Sequence, residues 1–181
     1  MFKKITAFIL CFIMTVSMTV SAKSAYGIAK DDDTGYRLLS QLGILDNNDL
    51  KKLGHNTLIT RAEFVQKLAV CAKLKTDIGG ESSVFSDVIP SMGCYGAVMA
   101  AYNAGFISGA DGKFNPNDSI TVMDAAVIAV RAIGYGSYSN NNGGYPAGYI
   151  RQINSLDIAD GLAGAFDAFL TADDMAKLLL N

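Results

Sequence analysis

Three short segments of the chain share one order of apolar and polar positions. In each segment an apolar residue precedes a threonine, and an acidic residue follows that threonine by three positions. The segments are Ile59–Glu63, Ile120–Asp124 and Leu170–Asp174. A threonine at a helix N-cap accepts a hydrogen bond from the third helical amide, and an acid at that third position reaches back to the threonine amide. The pattern therefore predicts three helices that begin after Thr60, Thr121 and Thr171.

The residues that follow each threonine support these helices. Apolar residues recur at the fourth, fifth, eighth and ninth positions after it, which places them on one face of a helix with 3.6 residues per turn. They are Phe64, Val65, Leu68 and Ala69, then Ala125, Ala126, Ala129 and Val130, then Met175, Ala176, Leu179 and Leu180. We expect this face to be buried in each of the three helices.

A second repeated segment precedes each threonine and predicts the end of an earlier helix. Its copies are Leu39–Leu45, Ala101–Ile107 and Ile153–Ala159. Gly43 and Gly105 stand where a helix ends in a left-handed residue, and Asp157 takes the same place less comfortably. One such helix pair cannot bury its own apolar face. The sequence therefore predicts an all-α, three-pronged domain with pseudo-threefold symmetry, built of six main helices from three helix-loop-helix repeats.

The start of the chain has a different character. Lys3 and Lys4 precede an apolar run from Ile5 to Val20, and small residues follow. This order is typical of a secretory signal peptide over residues 1–22, with a cut that can extend to residue 27. The alternative is a retained membrane anchor, for which a run of about 16 residues is short. We therefore expect an exported protein without a stable membrane span after the signal is removed.

Composition and charge exclude several classes of function. The 181 residues include 15 basic and 17 acidic side chains, one His and three Cys. Such a balance gives no basic field for a nucleic acid, and one His with three Cys makes a metal site a poor prospect. We find no nucleophile–base pair and no phosphate loop, so we expect neither an enzyme nor a cofactor. For Cys71 and Cys94 we favour two unlinked thiols, although export permits a disulfide.

The middle unit carries a family resemblance. Phe85–Val88, Ala104–Gly109 and Asp111–Asn117, followed by Ile120 and Thr121, resemble an S-layer homology (SLH) repeat, and Ile59–Phe64 matches the most recognisable motif of that family. Tyr145–Tyr149 resembles the opening of the last repeat in some clostridial members. The chain is thus similar to three tandem SLH repeats, of which the first and third are divergent. The resemblance covers about residues 34–181.

The resemblance implies both a fold and a function. It implies a three-pronged helical domain that binds secondary cell-wall polysaccharide, often pyruvylated, without a covalent bond. It also implies a place at the cell wall or cell surface of a Gram-positive envelope, where the domain anchors another protein. The candidate glycan-binding residues are Arg61, Asp87, Gly109 and Tyr149. For Asp87 the alternative is a structural role, in which it caps or closes a turn.

The chain also departs from the family pattern. In the family, an Arg follows the capping threonine and meets the anionic glycan, but Val122 and Ala172 hold the positions equivalent to Arg61. The aromatic residue that opens a repeat, usually Trp, would fall near Gly93, and the chain has no Trp. We therefore expect one equipped groove at most. The alternative function is a degenerate SLH-like domain that binds another protein instead of a glycan.

The predicted organisation follows from these segments. A polar leader over 23–33 precedes repeat 1 (34–78) and repeat 2 (79–137); a Gly/Asn linker (138–144) then precedes repeat 3 (145–181). The stretch 134–149 first suggests a flexible connection, but its four tyrosines can also stack on sugar rings. The sequence ends in a predicted helix without a glycine stop and brings no cargo domain, so we expect that it is a truncated product or a fragment.

Overall fold

The computed structural model describes residues 32–181 with the exception of Leu53, His55, Gly80 and Glu81. The predicted signal peptide and nearly all of the polar leader lie outside these residues. The chain divides into two compact units, 1–38 and 39–181. Only residues 32–38 of the first unit are described, and they form the beginning of the first helix.

The described residues form eight helices. They are α1 (Asp32–Gln41), α2 (Asn47–Lys52), α3 (Arg61–Cys71), α4 (Tyr95–Asn103), α5 (Val122–Ala132), α6 (Gly136–Asn141), α7 (Ala147–Ser155) and α8 (Ala172–Leu180). Backbone pairing of the β type is confined, in this part of the chain, to four isolated bridges. The all-α prediction is thereby confirmed. None of these helices is both long and apolar enough to cross a membrane.

A closed ring of three backbone hydrogen bonds joins the starts of α3, α5 and α8. The Ile59 amide donates to the Leu170 carbonyl (3.0 Å), the Leu170 amide to the Ile120 carbonyl (2.8 Å), and the Ile120 amide to the Ile59 carbonyl (3.0 Å). All three residues are completely buried. Since buried backbone groups must be paired, these three apolar positions depend on one another for their hydrogen bonds.

The first residues of α3, α5 and α8 form backbone hydrogen bonds in the same cyclic order. The first amides of a helix have no partner within that helix, and here they donate to loop carbonyls of another repeat. The pairs are Arg61 to Asp118 (2.9 Å), Ala62 to Pro116 (3.0 Å), Val122 to Ala168 (2.9 Å), Met123 to Phe166 (2.9 Å) and Ala172 to Thr57 (2.8 Å). Each loop thus caps the helix of the repeat before it, and the loop of the first repeat caps the helix of the third.

The three threonines cap their helices as predicted, but the acids behave differently. Each threonine hydroxyl accepts a hydrogen bond from the amide three residues on. Glu63 completes the capping box, because its carboxylate accepts from the Thr60 amide at 2.9 Å. The two aspartates lack one methylene and bond elsewhere, Asp124 to Arg61 and Asp174 to the amides of Ala163 and Gly164. The reciprocal box predicted for the second and third repeats is therefore wrong.

The predicted helix stops are confirmed. Gly43, Gly105 and Asp157 have φ angles of 72°, 76° and 54°, which is the left-handed conformation. In each repeat the amide of the next residue donates to a carbonyl five positions earlier, as in Ile44 to Leu39 at 2.9 Å. This bond satisfies a carbonyl at the helix end. Asp157 adopts the conformation without being glycine, at a modest steric cost.

The buried faces agree with the sequence in two helices and partly in the third. All four predicted residues of α3 and of α5 are buried. In α8, Met175 and Ala176 are buried, but Leu178 is buried in place of Leu179 and Leu180, which remain partly exposed. The stripe on this helix is thus shifted by one position toward Leu178.

The segment between the second and third repeats is more ordered than its composition suggests. Residues 136–141, which overlap the expected Gly/Asn linker, form α6. Ser139 is completely buried within it, and α6 contacts both α5 and α7. The segment is therefore a packed element as far as Asn141. Cys71 and Cys94 are free thiols, as expected, the first half-buried and the second buried.

The capping of α3 gives a direct test of stability. We expect Thr60→Ala to lower the free energy of unfolding by about 1 kcal/mol, because it removes the hydroxyl that accepts from the Glu63 amide. Thr60→Ser keeps that hydroxyl and should lose less. Urea unfolding followed by circular dichroism measures both. An equal loss in the two variants would contradict a capping role for the hydroxyl.

Candidate functional site

A groove of about 400 Å³ lies between the first and second repeats. The beginning of α3 forms one wall, α5 forms another, and the loop over residues 107–119 closes it. Its charged lining residues are Arg61, Lys113, Asp118, Asp124 and Arg131, and its polar and aromatic ones include Ser108, Asn115, Ser119 and Tyr145. Three cations against two carboxylates leave the lining with one excess positive charge.

Arg61 is held across the boundary between the two repeats. Its Nε donates to the Phe114 carbonyl at 3.0 Å, and its Nη1 lies 3.2 Å from an Asp124 carboxylate oxygen. The guanidinium carbon stands 5.2 Å from the centre of the Phe114 ring. These bonds use two of the five N–H groups of the guanidinium. Because the side chain is 21% exposed, the remaining part of the guanidinium faces the groove in a fixed orientation.

The ion pair with Asp124 is open to solvent. The Asp124 side chain is 44% exposed, and pairs of this kind contribute at most about 1 kcal/mol to stability. The pair nevertheless shows that a carboxylate fits beside Arg61 in this groove.

Arg131 is the second fixed cation of the groove, and a buried tyrosine holds it. Its Nε donates to the Tyr149 hydroxyl at 3.0 Å, and its guanidinium carbon lies 5.3 Å from the centre of the Tyr149 ring. Tyr149 itself is 0% exposed. Its ring therefore cannot stack on a sugar in this structure, which corrects the sugar-contact role that the sequence suggested, since the residue instead positions Arg131.

Asp87 supports the loop that carries the groove and does not line it. Its two carboxylate oxygens accept hydrogen bonds from the amides of Phe114 (2.9 Å) and Asn115 (2.7 Å). Partial desolvation works to raise the pKa of Asp87, but these hydrogen bonds and the nearby charge of Lys113 together lower that pKa below its usual range. The geometry favours the structural alternative for Asp87: it fixes Phe114, on which Arg61 rests.

Gly109 lines the groove and has a steric reason to be glycine. Its φ angle is +70°, and a Cβ atom there would meet the Phe85 ring and, at 2.7 Å, the Lys113 carbonyl. The Phe85 ring lies 5.8 Å from that of Phe114. Gly109 thus permits the close contact between loop and ring that completes the wall of the groove.

The positions equivalent to Arg61 in the other two repeats are filled differently. Val122 is 1% exposed and Ala172 is 0% exposed. Both side chains are apolar and covered, so neither offers a charged group to a groove. The structure therefore keeps the arrangement around Arg61 at one of the three repeat boundaries.

Sequence reasoning missed two charged lining residues, Lys113 and Arg131, whereas Tyr145 was among the tyrosines named as possible sugar contacts. Lys113 stands inside a segment that resembles the family, but nothing in that segment marks it as lining a groove. Arg131 occupies the last turn of α5, and Val70 and Asn181 stand at the equivalent positions of the other repeats. The presence of a cation at this position in the second repeat alone was the feature of the sequence that could have indicated a role for Arg131.

Comparison with known proteins identifies the family. Residues 84–126, the middle repeat of the chain, match the family model described as the S-layer homology domain. That stretch contains Asp87, the 107–119 loop and the first residues of α5. The chain therefore contains an SLH domain, which its middle repeat forms. The SLH match thus covers the loop wall of the groove and, of the α5 wall, only Asp124.

Similar curated proteins are much longer than this chain. A cell surface protein of Thermoanaerobacter kivui is 27% identical over 98% of this chain and 24% of its own length. An amylopullulanase of Thermoanaerobacterium thermosulfurigenes is 39% identical over 42% of the chain and 4% of the enzyme. Exoglucanase XynX of Acetivibrio thermocellus is 40% identical over 41% of the chain and 7% of the enzyme. The SLH chain therefore spans about a quarter or less of each relative.

The role of Asp87 predicts a pH-dependent effect. We expect Asp87→Asn to lower the free energy of unfolding at pH 7 by roughly 1–2 kcal/mol, because one of two charge-assisted hydrogen bonds is lost. A carboxyl whose pKa is lowered by folding stabilises the protein above its unfolded pKa, about 3.9, and stops doing so as the pH falls through the folded value. The difference between wild type and variant should therefore shrink from pH 7 to pH 3 in urea unfolding. A constant difference would contradict the assignment.

Gly109 and Gly112 allow a matched comparison in the same loop. Both have a φ angle near +70°, but a Cβ at Gly112 would meet nothing within 4 Å. We expect Gly109→Ala to destabilise the protein clearly more than Gly112→Ala, since only the first adds a clash to the backbone strain. Thermal unfolding of both variants measures the difference, and equal losses would show that Phe85 does not press on this position.

Proposed function

We propose that the chain anchors a surface protein by binding an acidic secondary cell-wall polysaccharide, without a covalent bond, in the groove that contains Arg61. The SLH match and the similarity to a cell surface protein support an anchoring module at the cell surface. The groove supplies the chemistry. The observation that supports this proposal most directly is the position of the Arg61 guanidinium. Two hydrogen bonds fix it, and it faces a cavity whose lining has an excess of positive charge.

A carboxylate is the ligand group that suits this arrangement best. The planar guanidinium donates parallel hydrogen bonds to a carboxylate, and such bonds are roughly twice as strong as neutral ones. Asp124 already meets Arg61 through one oxygen, so the carboxylate of a pyruvyl ketal on the polymer would compete for the same donors. Arg131 and Lys113 add positive charge around that point.

One groove of this kind predicts modest affinity for the polymer. Val122 and Ala172 are buried and apolar, so the other two repeat boundaries lack the corresponding cation. Binding at several sites raises avidity by orders of magnitude without new contacts, and a one-groove domain forgoes that gain. We expect weaker retention on cell walls than a domain with three equipped grooves shows.

The same two substitutions favour a second candidate function. A domain that has lost two of its three arginines is compatible with a helical module that binds another surface protein and no glycan. In that case the groove would not respond to purified polymer. Binding to isolated walls, with soluble polymer as competitor, separates the two candidates.

The arginine gives the decisive variant. We expect Arg61→Ala to weaken retention on purified wall polymer at least about tenfold, because a charge-assisted contact in a partly desolvated groove is worth about 1.4 kcal/mol or more. Arg61→Lys keeps the charge but not the planar pair of donors, so it should fall between alanine and wild type. Pull-down with purified wall polymer at two salt concentrations measures all three.

Lys75→Ala is the matched control. Lys75 is exposed and outside the groove, so its loss changes the net charge equally without touching the cavity. It should leave retention unchanged, and circular dichroism should show that all variants remain folded. Equal retention of wild type and folded Arg61→Ala would remove the basis for this proposal.

A further inference from the structure

A second cavity, of about 430 Å³, opens between the end of α6 and one face of α7. The α6 side contributes Tyr138, Asn141 and Asn142 together with Gly143. None of the residues that line it lines the groove around Arg61. We call this cavity the α6–α7 pocket.

The face of α7 that forms the pocket is mainly polar, because its polar residues recur at helical spacing. Gly148, Arg151, Gln152 and Ser155 are separated by three, four and seven positions and so lie on one side of the helix. The buried apolar residues of the same helix, such as Ile153, lie beside this stripe. Gly148 brings the α6 backbone close, since a Cβ there would collide with the Ser139 carbonyl and contact the Asn142 carbonyl at 3.0 Å.

Gln152 is the residue that points to a ligand. It is only 6% exposed, and its carboxamide makes no hydrogen bond to any residue that the structure describes. Its amide atoms are not sealed from solvent, so a partner can reach them. Gln152 lines the pocket, so a ligand there can supply both the donor and the acceptor that this side chain lacks.

Tyr138 and Arg151 complete the recognition surface. Tyr138 is 58% exposed, so its ring offers an apolar face at the mouth of the pocket. Arg151 donates through Nη2 to the Asn142 carbonyl, which fixes its guanidinium along the wall. Apart from Arg151, which donates to that carbonyl, the lining residues carry no charge. Amides, a hydroxyl and an aromatic face are the groups that pair with the hydroxyls and the apolar face of a sugar ring.

We propose that the α6–α7 pocket binds an uncharged sugar residue. We propose further, on the basis of the proposed function above, that this sugar belongs to the polymer that the groove holds. Gly143 lines the pocket and Tyr145 lines the groove, and two residues of chain span at most about 7 Å. The two cavities therefore approach each other at this segment, and adjacent sugars of one polymer can occupy both. The groove takes the acidic unit, and the pocket takes a neutral neighbour.

The first experiment tests the pocket alone. Purified chain labelled with ¹⁵N is titrated with N-acetylglucosamine, galactose and, as the acidic comparator, glucuronic acid. We expect at least one of the two neutral sugars to shift the backbone amide signals of Gly143 and Gly148 and the side-chain amide of Gln152. Shifts confined to glucuronic acid, or no shift at these signals, would overturn the proposal.

Two variants tie the shifts to the pocket. Tyr138→Ala changes an exposed side chain, and Gln152→Leu replaces a buried amide by an apolar group of similar size. Each should weaken the binding of the neutral sugar at least about fivefold, whereas Tyr102→Ala, an exposed tyrosine outside both cavities, should not. Unchanged binding in folded Tyr138→Ala and Gln152→Leu would overturn the assignment of the site.

Arg61→Ala separates this inference from the proposed function. It should leave the binding of the neutral monosaccharide intact while it weakens retention on the polymer. Tyr138→Ala should weaken both. Loss of polymer binding in Arg61→Ala with none in Tyr138→Ala would refute the shared polymer and leave the groove standing. Pocket shifts in a chain whose polymer binding ignores Arg61 would refute the groove and leave the pocket standing.

Discussion

The ring of hydrogen bonds among Ile59, Ile120 and Leu170 is the constraint on which the other contacts depend. Each of these buried residues gives its amide to one neighbour and its carbonyl to the other, so no repeat can satisfy its own backbone alone. The threonine caps begin one residue later, and the first helical amides then reach the loop of another repeat. The three helix pairs form one domain because each supplies hydrogen-bond partners to the first residues of a helix in another pair.

The groove follows from this exchange. Arg61 is the first residue of α3, and its amide donates to the Asp118 carbonyl in the loop of the second repeat. The backbone contact that caps the helix therefore also delivers the guanidinium onto Phe114. Asp87 holds the same loop from the other side through two amides. The contact between the start of α3 and the 107–119 loop, which joins the two repeats, thus also places the Arg61 cation beside a polar loop.

Sequence patterns predicted the features that side chains encode. Threonine caps, left-handed stops and most of the buried faces were visible because each requires a particular residue type at a fixed spacing. The ring of backbone hydrogen bonds could not be predicted from the sequence, because backbone groups form it and any apolar side chain is compatible with those three positions. The contact between Arg131 and Tyr149 joins residues of different repeats and has no repeated counterpart. In α6, packing between α5 and α7 gives helical structure to a polar segment whose composition alone favours a flexible linker.

The cyclic order also bears on how the protein assembles. The bond between Ile59 and Leu170 joins the first repeat to the third, so the first helix start stays incomplete until nearly all of the chain is present. Closing a loop of that length is slow compared with forming the local helix pairs. The Ile59 amide obtains its native partner only from the third repeat, so that repeat completes the start of α3. The groove around Arg61 thus depends on the third repeat, which supplies Leu170 to the ring and Tyr145 to the groove lining.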